Sequence, residues 1–199
     1  MGELVVRQKK KESKKVGEIS YLTGGSQNSS PSVTESIYQL RNSSTIFMSA
    51  WLSSPKDFVR AGRVSSEAMG HLDHIVNEIM RARDQHMADG SYDNSTLKVR
   101  LQEPAATSVS PVTREEQHAL ASVGPGNGEL PSTGTPLTVE KLLNKIKHRR
   151  TDSINFRVEE PERHIFLFGV DKPNKQPDSI VEFSISGFCS QCDLVAAEL

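Results

Sequence analysis

The pattern of apolar and polar positions predicts a long amphipathic helix directly after Ser32. Apolar side chains recur every three or four residues, as expected of a helix that buries one face. Ser32 and Glu35 have the spacing of a capping box, and Pro55 predicts the end of the helix, because the residue before a proline is disfavoured in the α conformation. The predicted buried stripe comprises Ile37, Leu40, Ser44, Phe47 and Trp51.

A second helix is predicted to begin with Ser54 as its N-cap and Pro55 in its first turn. It should continue to about His86, because Asp89-Gly90 is a typical helix end. Two long helices with a short joint favour an antiparallel hairpin, with Trp51 buried near the joint. The predicted inner face of the second helix comprises Phe58, Gly62, Ser65, Met69, Leu72, Val76 and Ile79.

The pattern between residues 91 and 136 is weaker. Leu97, Val99 and Leu101 alternate with basic residues, which indicates a short strand or an extended segment on the bundle. Residues 111–116 can open a helix that runs through Ser122. Residues 124–136 are rich in glycine and proline and predict a loop, whose length is typical of a mobile segment or a joint between subdomains.

The last third of the chain predicts one helix, three strands and a final short helix. Thr138 can cap the first of these helices, and alternating or continuous apolar runs follow at residues 154–158, 165–170 and 180–185. The simplest topology is an antiparallel meander, closed by a helix from Gly187 onward. The predicted fold class is therefore α+β, with an N-terminal helical hairpin or bundle, a further helix, a small three-stranded antiparallel sheet and a short C-terminal helix.

These elements suggest four segments. Residues 1–31 are predicted to form a flexible basic tail, because they combine the basic block from Arg7 to Lys15 with a Gly/Ser-rich linker. A helical domain at 32–122, a loop at 123–136 and a small α+β unit at 137–199 follow.

Composition excludes some classes of function. The 199-residue chain has a net charge of -1, so it has no overall positive field that would attract nucleic acid. It contains no apolar run long enough to cross a bilayer and no apolar core of signal-peptide length, so we expect a cytoplasmic protein without a membrane partner. No cofactor-binding motif is evident, and the sequence leaves the oligomeric state open.

The densest cluster of candidate binding residues lies at the end of the helix that Thr138 opens. Cations at a helix C-terminus stabilise its dipole, which is one interpretation of the cluster. The other is a surface that binds phosphate groups of a nucleic acid or another polyanion. The cluster comprises Asn144, Lys145, Lys147, His148, Arg149 and Arg150.

Residues 144–148 also resemble the Asn-x-x-Lys-His motif near a late helix of HEPN-like helical bundles. This resemblance implies a helical domain associated with RNA cleavage or defence systems. In active members an Arg and a His, separated by four residues, carry RNA cleavage without a metal. Arg81 and His86 have that spacing here, although Ala82 stands where the family has a polar residue.

The two cysteines, Cys189 and Cys192, form a CxxC pair in the final helix. A structural role, half of a metal site and a redox pair are the three interpretations. A zinc site would need two further ligands from the histidines, because the chain has no other cysteine. Cysteines are often buried as small apolar residues, and we expect reduced thiols without a metal.

The leading functional hypothesis is a non-enzymatic binding or accessory protein that meets a nucleic acid or other polyanion through the basic cluster. One alternative is a HEPN-like, metal-independent RNase that uses Arg81 and His86. Another is a protein–protein adaptor whose sheet edge takes a partner.

Overall fold

The computed structural model describes residues 32–159 and 163–199. The predicted basic tail at 1–31 lies outside the described residues. The helices within them are α1 Val33–Leu52, α2 Phe58–Ala88, α3 Thr96–Leu101, α4 Arg114–Ser122, α5 Val139–Lys147 and α6 Ile185–Ala196, with a 3-10 turn at Tyr92–Asn94. The strands are β1 Pro104–Val109, β2 Thr135–Thr138, β3 Arg149–Glu159, β4 Arg163–Asp171 and β5 Pro177–Ser184.

The α+β prediction is confirmed, and the helical hairpin is its N-terminal part. The Ser32 side chain accepts a hydrogen bond from the Glu35 backbone N–H, so α1 begins where the sequence placed it. The start of α2 differs from the prediction: Asp57, rather than Ser54, is its N-cap, and its carboxylate accepts from the Arg60 N–H. A carboxylate at this position also complements the positive end of the helix dipole.

The inner face of α2 is also shifted in its first turns. Phe58, Gly62 and Ser65 are exposed, and the buried positions there are Ala61 and Val64. Small Ala61 allows close approach to α1, in a cluster that includes Phe47 and Ala50. Further along, Leu72, Val76 and Ile79 are buried as predicted, and Ile75 beside them is buried as well.

The sheet has five antiparallel strands in the order β2-β1-β5-β4-β3 within the described residues, not the three predicted. The predicted meander is β3-β4-β5, and β1 and β2 extend it beyond β5. Both added strands are poor in large apolar residues and therefore give little periodic signal. Because β1 pairs with β5, the predicted helical domain and the α+β unit share one sheet.

Leu97, Val99 and Leu101 belong to helix α3, so the predicted strand was wrong. Ser95 accepts a hydrogen bond from the Lys98 N–H and caps this helix. Leu97 and Leu101 lie four residues apart and are both buried, whereas Val99 is 61% exposed. Alternation over five residues also fits one helical turn, since positions i and i+4 share a face.

The sheet is covered on both faces. Phe168, Val170, Val181 and Phe183 point to one face, where they join the main core formed with α1, α2, α5 and α6. On the other face Ile165, Leu167 and Ile180 pack with Val112 and Leu120 at α4. The side chains of β4 alternate between the two faces of the sheet. The apolar run is continuous because helices cover both faces.

A buried polar network fastens α4 to the sheet. Gln117 is fully buried, and its side-chain amide donates to the Val170 carbonyl at 2.8 Å. The Ser153 hydroxyl donates to the Gln117 carbonyl at 2.7 Å. Gly169 leaves room for both, because a Cβ there would lie 2.6 Å from Ser153 Oγ and 3.3 Å from Gln117 Cδ.

Gly169→Ala should therefore destabilise the protein by about 1–3 kcal/mol, the usual cost of overpacking a core. Gly70→Ala is the matched control, because a Cβ on Gly70 meets nothing within 4 Å in the middle of α2. It should stabilise the protein by up to about 1 kcal/mol, since alanine favours helix. Chemical denaturation measures both variants, and equal free energies of unfolding would contradict the assigned packing.

Candidate functional site

The basic cluster is divided between two elements in the structure. Helix α5 ends at Lys147 with His148 as its C-cap, and strand β3 begins at Arg149. Arg149 and Arg150 are therefore strand residues and do not extend the helix end, as the sequence interpretation assumed. The sequence signal was ambiguous here, because basic residues occur equally in exposed strands and at helix ends.

Three cations of the cluster form ion pairs within the protein. Lys145 pairs with Asp178 and donates to Ser179 Oγ at 3.0 Å. Arg149 donates to both carboxylate oxygens of Asp73, at 2.6 and 3.0 Å. These contacts tie α5 and β3 to their neighbours and leave both cations less available to an external phosphate.

Arg150 is held in the same way. It donates to Asp171 at 2.7 Å and also pairs with Asp152. Hydrogen bonds to Asp152 and Asp171 raise the pKa of Arg150. Asn144, Lys147 and His148 remain exposed, so the part of the cluster that faces solvent is smaller than the sequence suggests.

Arg81 and His86 both lie on α2 and have different hydrogen-bonding partners. Five residues along an α-helix rotate a side chain by about 140° relative to the first, so the two point in different directions. Arg81 pairs with Glu78 on its own helix, and His86 Nδ1 shares a hydrogen bond with Ser91 Oγ at 2.7 Å. Each side chain has a partner of its own in the described structure, and a joint action of the two on one phosphodiester stays a prediction from the sequence.

Cys189 and Cys192 are free thiols buried in the main core. Burial raises the pKa of Cys189 to about 11 and that of Cys192 well above its ordinary value. Among the described residues, no group of three or more His, Cys, Asp and Glu side chains is arranged to hold a metal ion. The packing of both thiols agrees with the structural interpretation of the CxxC pair.

The sheet edges bear on the adaptor hypothesis. Strand β2 is an outer strand of only four residues and contains Pro136, which cannot donate a backbone hydrogen bond. The other outer strand, β3, is bridged at Arg157 by Asn127 from the preceding loop. Short, proline-containing or covered edges offer little backbone to a partner strand.

The sequence did not predict a cleft of about 260 Å³ between the helical hairpin and the β3–β4 edge of the sheet. We call this site the hairpin–sheet cleft. The described residues that line it include no Lys, Arg, Asp or Glu. The lining residues are Ser43, Ser44, Phe47, Val64, Ser65, Ala68, Met69, Leu72, Ala121, Pro125, Ile154, Asn155, Phe156, His164, Phe166 and Ile185.

Small side chains on the hairpin keep this cleft open. Ser44, Ser65 and Ala68 occupy positions where larger apolar residues would reach the sheet. Ser44 and Ser65 belong to the predicted inner stripes. A small polar residue in a stripe that is otherwise apolar is the one indication of a void that the sequence offers. The sequence cannot show which residues face the void, because strands β3 and β4 supply its other wall.

His164 is the one imidazole of the described cleft lining, and it is held neutral. Burial lowers the pKa of His164 to about 4. Its Nδ1 shares a hydrogen bond with Ser44 Oγ at 2.9 Å, and its ring stacks on Phe47 with centroids 4.8 Å apart. A neutral imidazole fixed at Nδ1 retains Nε2 as a hydrogen-bonding atom for a ligand.

The loop from 124 to 128 builds the outer wall of the cleft, so this part of the predicted mobile loop is fastened to β3. Asn155 donates to the carbonyls of Leu120 at 2.6 Å and Gly124 at 3.1 Å, and its Oδ1 accepts from the Gly126 N–H at 3.2 Å. Gly126 has φ +89, and a Cβ there would lie 2.7 Å from the Trp51 ring. Only glycine permits this close approach.

Trp51 is half-buried rather than buried as predicted, since residues 52–60 that follow it are all exposed. Its ring contacts Phe156 edge-on, with centroids 4.8 Å apart, next to the hairpin–sheet cleft. Trp51 is the single tryptophan of the chain, so its fluorescence reports on this region.

Comparison of the chain with protein-family models, with curated proteins and with solved structures gave no match. The functional interpretation therefore depends on the geometry described above. One further finding concerns membranes: among the described residues, none of the helices combines the length and apolarity needed to cross a bilayer.

The lowered pKa of His164 predicts a specific pH dependence of stability. The unfolded imidazole titrates near 6.5 and the folded one near 4, so the contribution is complete above about pH 6.5 and is lost as the pH falls toward 4. Wild-type stability should drop by about 2 kcal/mol between about pH 7 and pH 5 from this residue alone. Denaturation of His164→Gln should lack that part of the drop, and an unchanged pH profile would contradict the burial of a neutral His164.

Proposed function

We propose that the protein binds a small, largely apolar and uncharged molecule in the hairpin–sheet cleft. The observation that carries this proposal is the lining, which is apolar apart from serine hydroxyls, Asn155 and the neutral His164. Ligand sites are typically concave and mostly apolar, with few polar groups that orient the ligand. The volume of about 260 Å³ lies just below the usual range of such sites and favours a compact ligand.

Burial of an ionised ligand in this cleft would be unfavourable. A charge removed from water costs several kcal/mol unless a partner compensates it. The described lining supplies no Lys, Arg, Asp or Glu for that purpose. His164 cannot act as a cationic partner at neutral pH, because its pKa is lowered to about 4.

The Ser44–His164 pair has the composition of a nucleophile and its base, so a hydrolytic role needs to be weighed. A general base is most effective when its pKa lies near the working pH. With a pKa of about 4, His164 is a poor acceptor for the Ser44 proton at neutral pH. Binding therefore accounts for this pair better than catalysis does.

Ligand binding can be measured with the uncharged fluorescent probe N-phenyl-1-naphthylamine. We expect a Kd of about 10 μM or lower, which corresponds to about −7 kcal/mol. Ala68→Leu places additional carbons in the cleft and should weaken binding by about tenfold, or about 1.4 kcal/mol. Trp51 fluorescence should respond to the probe, because Trp51 adjoins Phe156 of the lining.

Ala88→Leu is the matched control, since Ala88 is exposed at the far end of the same helix. It should bind the probe as the wild type does. Thermal denaturation of both variants separates a filled cleft from a loss of folding. Failure of the wild type to bind, or equal affinities for Ala68→Leu and Ala88→Leu, would refute the proposal.

Polyanion binding remains a second candidate through one observation: Asn144, Lys147 and His148 stay exposed while their neighbours are paired. Phosphate contacts release counterions, so each cation that contacts RNA adds about 0.7–0.9 to the steepness of the salt dependence. Within the cluster, Lys147 is exposed and takes part in none of the ion pairs described above.

Lys147→Glu should therefore weaken any binding of single-stranded RNA at low salt and reduce its salt slope by about one. Arg63→Glu is the control, because the Arg63 side chain is 81% exposed on another helix. It changes the net charge of the protein by the same amount. Filter binding over a salt series measures both, and identical slopes for the two variants would exclude a specific role for Lys147.

A further inference from the structure

Large apolar side chains are exposed together where α1 joins α2. Residues 52–60 are all exposed, among them Leu52 at 54%, Phe58 at 63% and Val59 at 86%. We call residues 52–60 the hairpin tip. Exposed apolar residues that occur singly need no explanation, but a cluster of them marks an interaction surface.

The packing of the hairpin leaves these side chains largely exposed. Ala61 and Val64 provide the buried contacts of the first turns of α2, and they pack with Phe47 and Ala50 of α1. Phe58 makes an edge contact with Trp51, at 5.9 Å between centroids, and stays 63% exposed. Val59 is 86% exposed.

Two cations, Lys56 and Arg60, lie beside the exposed apolar residues. Lys56 lies 3.8 Å from the centroid of the Trp51 ring, and Arg60 follows one turn into α2. Lys56 and Arg60 also line a shallow depression with Ser49 and Ser53. The carboxylate of Asp57 is engaged by the Arg60 backbone N–H as the helix cap, where it offsets the helix dipole.

We propose that the hairpin tip docks on the surface of an anionic lipid bilayer. The exposed side chains of Leu52, Phe58 and Val59 can insert at the boundary between head groups and acyl chains. Lys56 and Arg60 complement the negative charge of the head groups, and each cation near such a surface adds to the attraction. A tryptophan ring with a lysine beside it is typical of interfacial positions.

This docking is independent of the ligand proposed for the hairpin–sheet cleft. It involves a surface contact, so it requires none of the described helices to cross the bilayer. An acidic protein would also be attracted to Lys56 and Arg60. Large exposed apolar side chains beside Lys56 and Arg60 match the boundary between anionic head groups and acyl chains, and this combination favours a lipid surface.

The full chain can be tested by co-sedimentation with vesicles of phosphatidylcholine, with and without phosphatidylglycerol. We expect binding to the anionic vesicles at least about tenfold tighter than to the neutral ones. The double variant Phe58→Ser with Val59→Ser should lose about tenfold of that affinity, and so should Lys56→Glu with Arg60→Glu. The matched control is Met87→Ser with Val99→Ser, which removes exposed apolar residues elsewhere and should bind as the wild type does.

The basic block from Arg7 to Lys15 can also attract anionic vesicles, so the readout must be local to the tip. Brominated phosphatidylglycerol should quench Trp51 in the wild type and in Ala68→Leu, but much less in the Phe58/Val59 variant. Binding without quenching, with equal affinity for the tip variants, would assign the attraction to the basic block and overturn the proposal. Absence of vesicle binding by the wild type would overturn it as well, and would leave an acidic protein as the occupant to test.

Discussion

The need to bury both sides of strand β4 organises this protein. Ile165 and Leu167 point to one face of the sheet, and Phe168 and Val170 complete the core of the other. A strand that is apolar on both sides is stable only as the middle of three layers. The helices α1, α2, α5 and α6 form one outer layer, and α4 forms the other through Gln117, Ser153 and the space that Gly169 leaves.

The hairpin–sheet cleft follows from an incomplete fit between these layers. Near α5 and α6 large side chains fill the interface, whereas Ser44, Ser65 and Ala68 leave a gap near the β3–β4 edge. Asn155 closes that edge by holding the 124–128 loop with both ends of its amide. The gap is therefore a cleft with a defined wall, and burial beside it lowers the pKa of His164.

Charge in this protein serves mainly to join elements. Arg149 reaches Asp73 on α2, Lys145 reaches Asp178 at the start of β5, and Arg150 reaches Asp171 at the end of β4. A group of cations that is dense in sequence therefore does not form an equally dense positive surface. The sequence shows where cations occur, but their partners come from residues up to 76 positions away.

Local patterns in the sequence determined the hairpin, the Thr138 cap, the β3–β4–β5 meander and the α+β class, because these depend on periodicity and on contacts within a few residues. They could not determine the strands β1 and β2, whose small and polar residues give little signal: β1 pairs with the edge that β5 offers, and β2 pairs with β1. The helical form of α3 was not recognised, because the spacing of Leu97, Val99 and Leu101 fits both a strand and a helix. The cleft was decided by tertiary structure alone, since its walls come from α1, α2, β3, β4 and the 124–128 loop, and a void is a property of the space between elements rather than of any one of them.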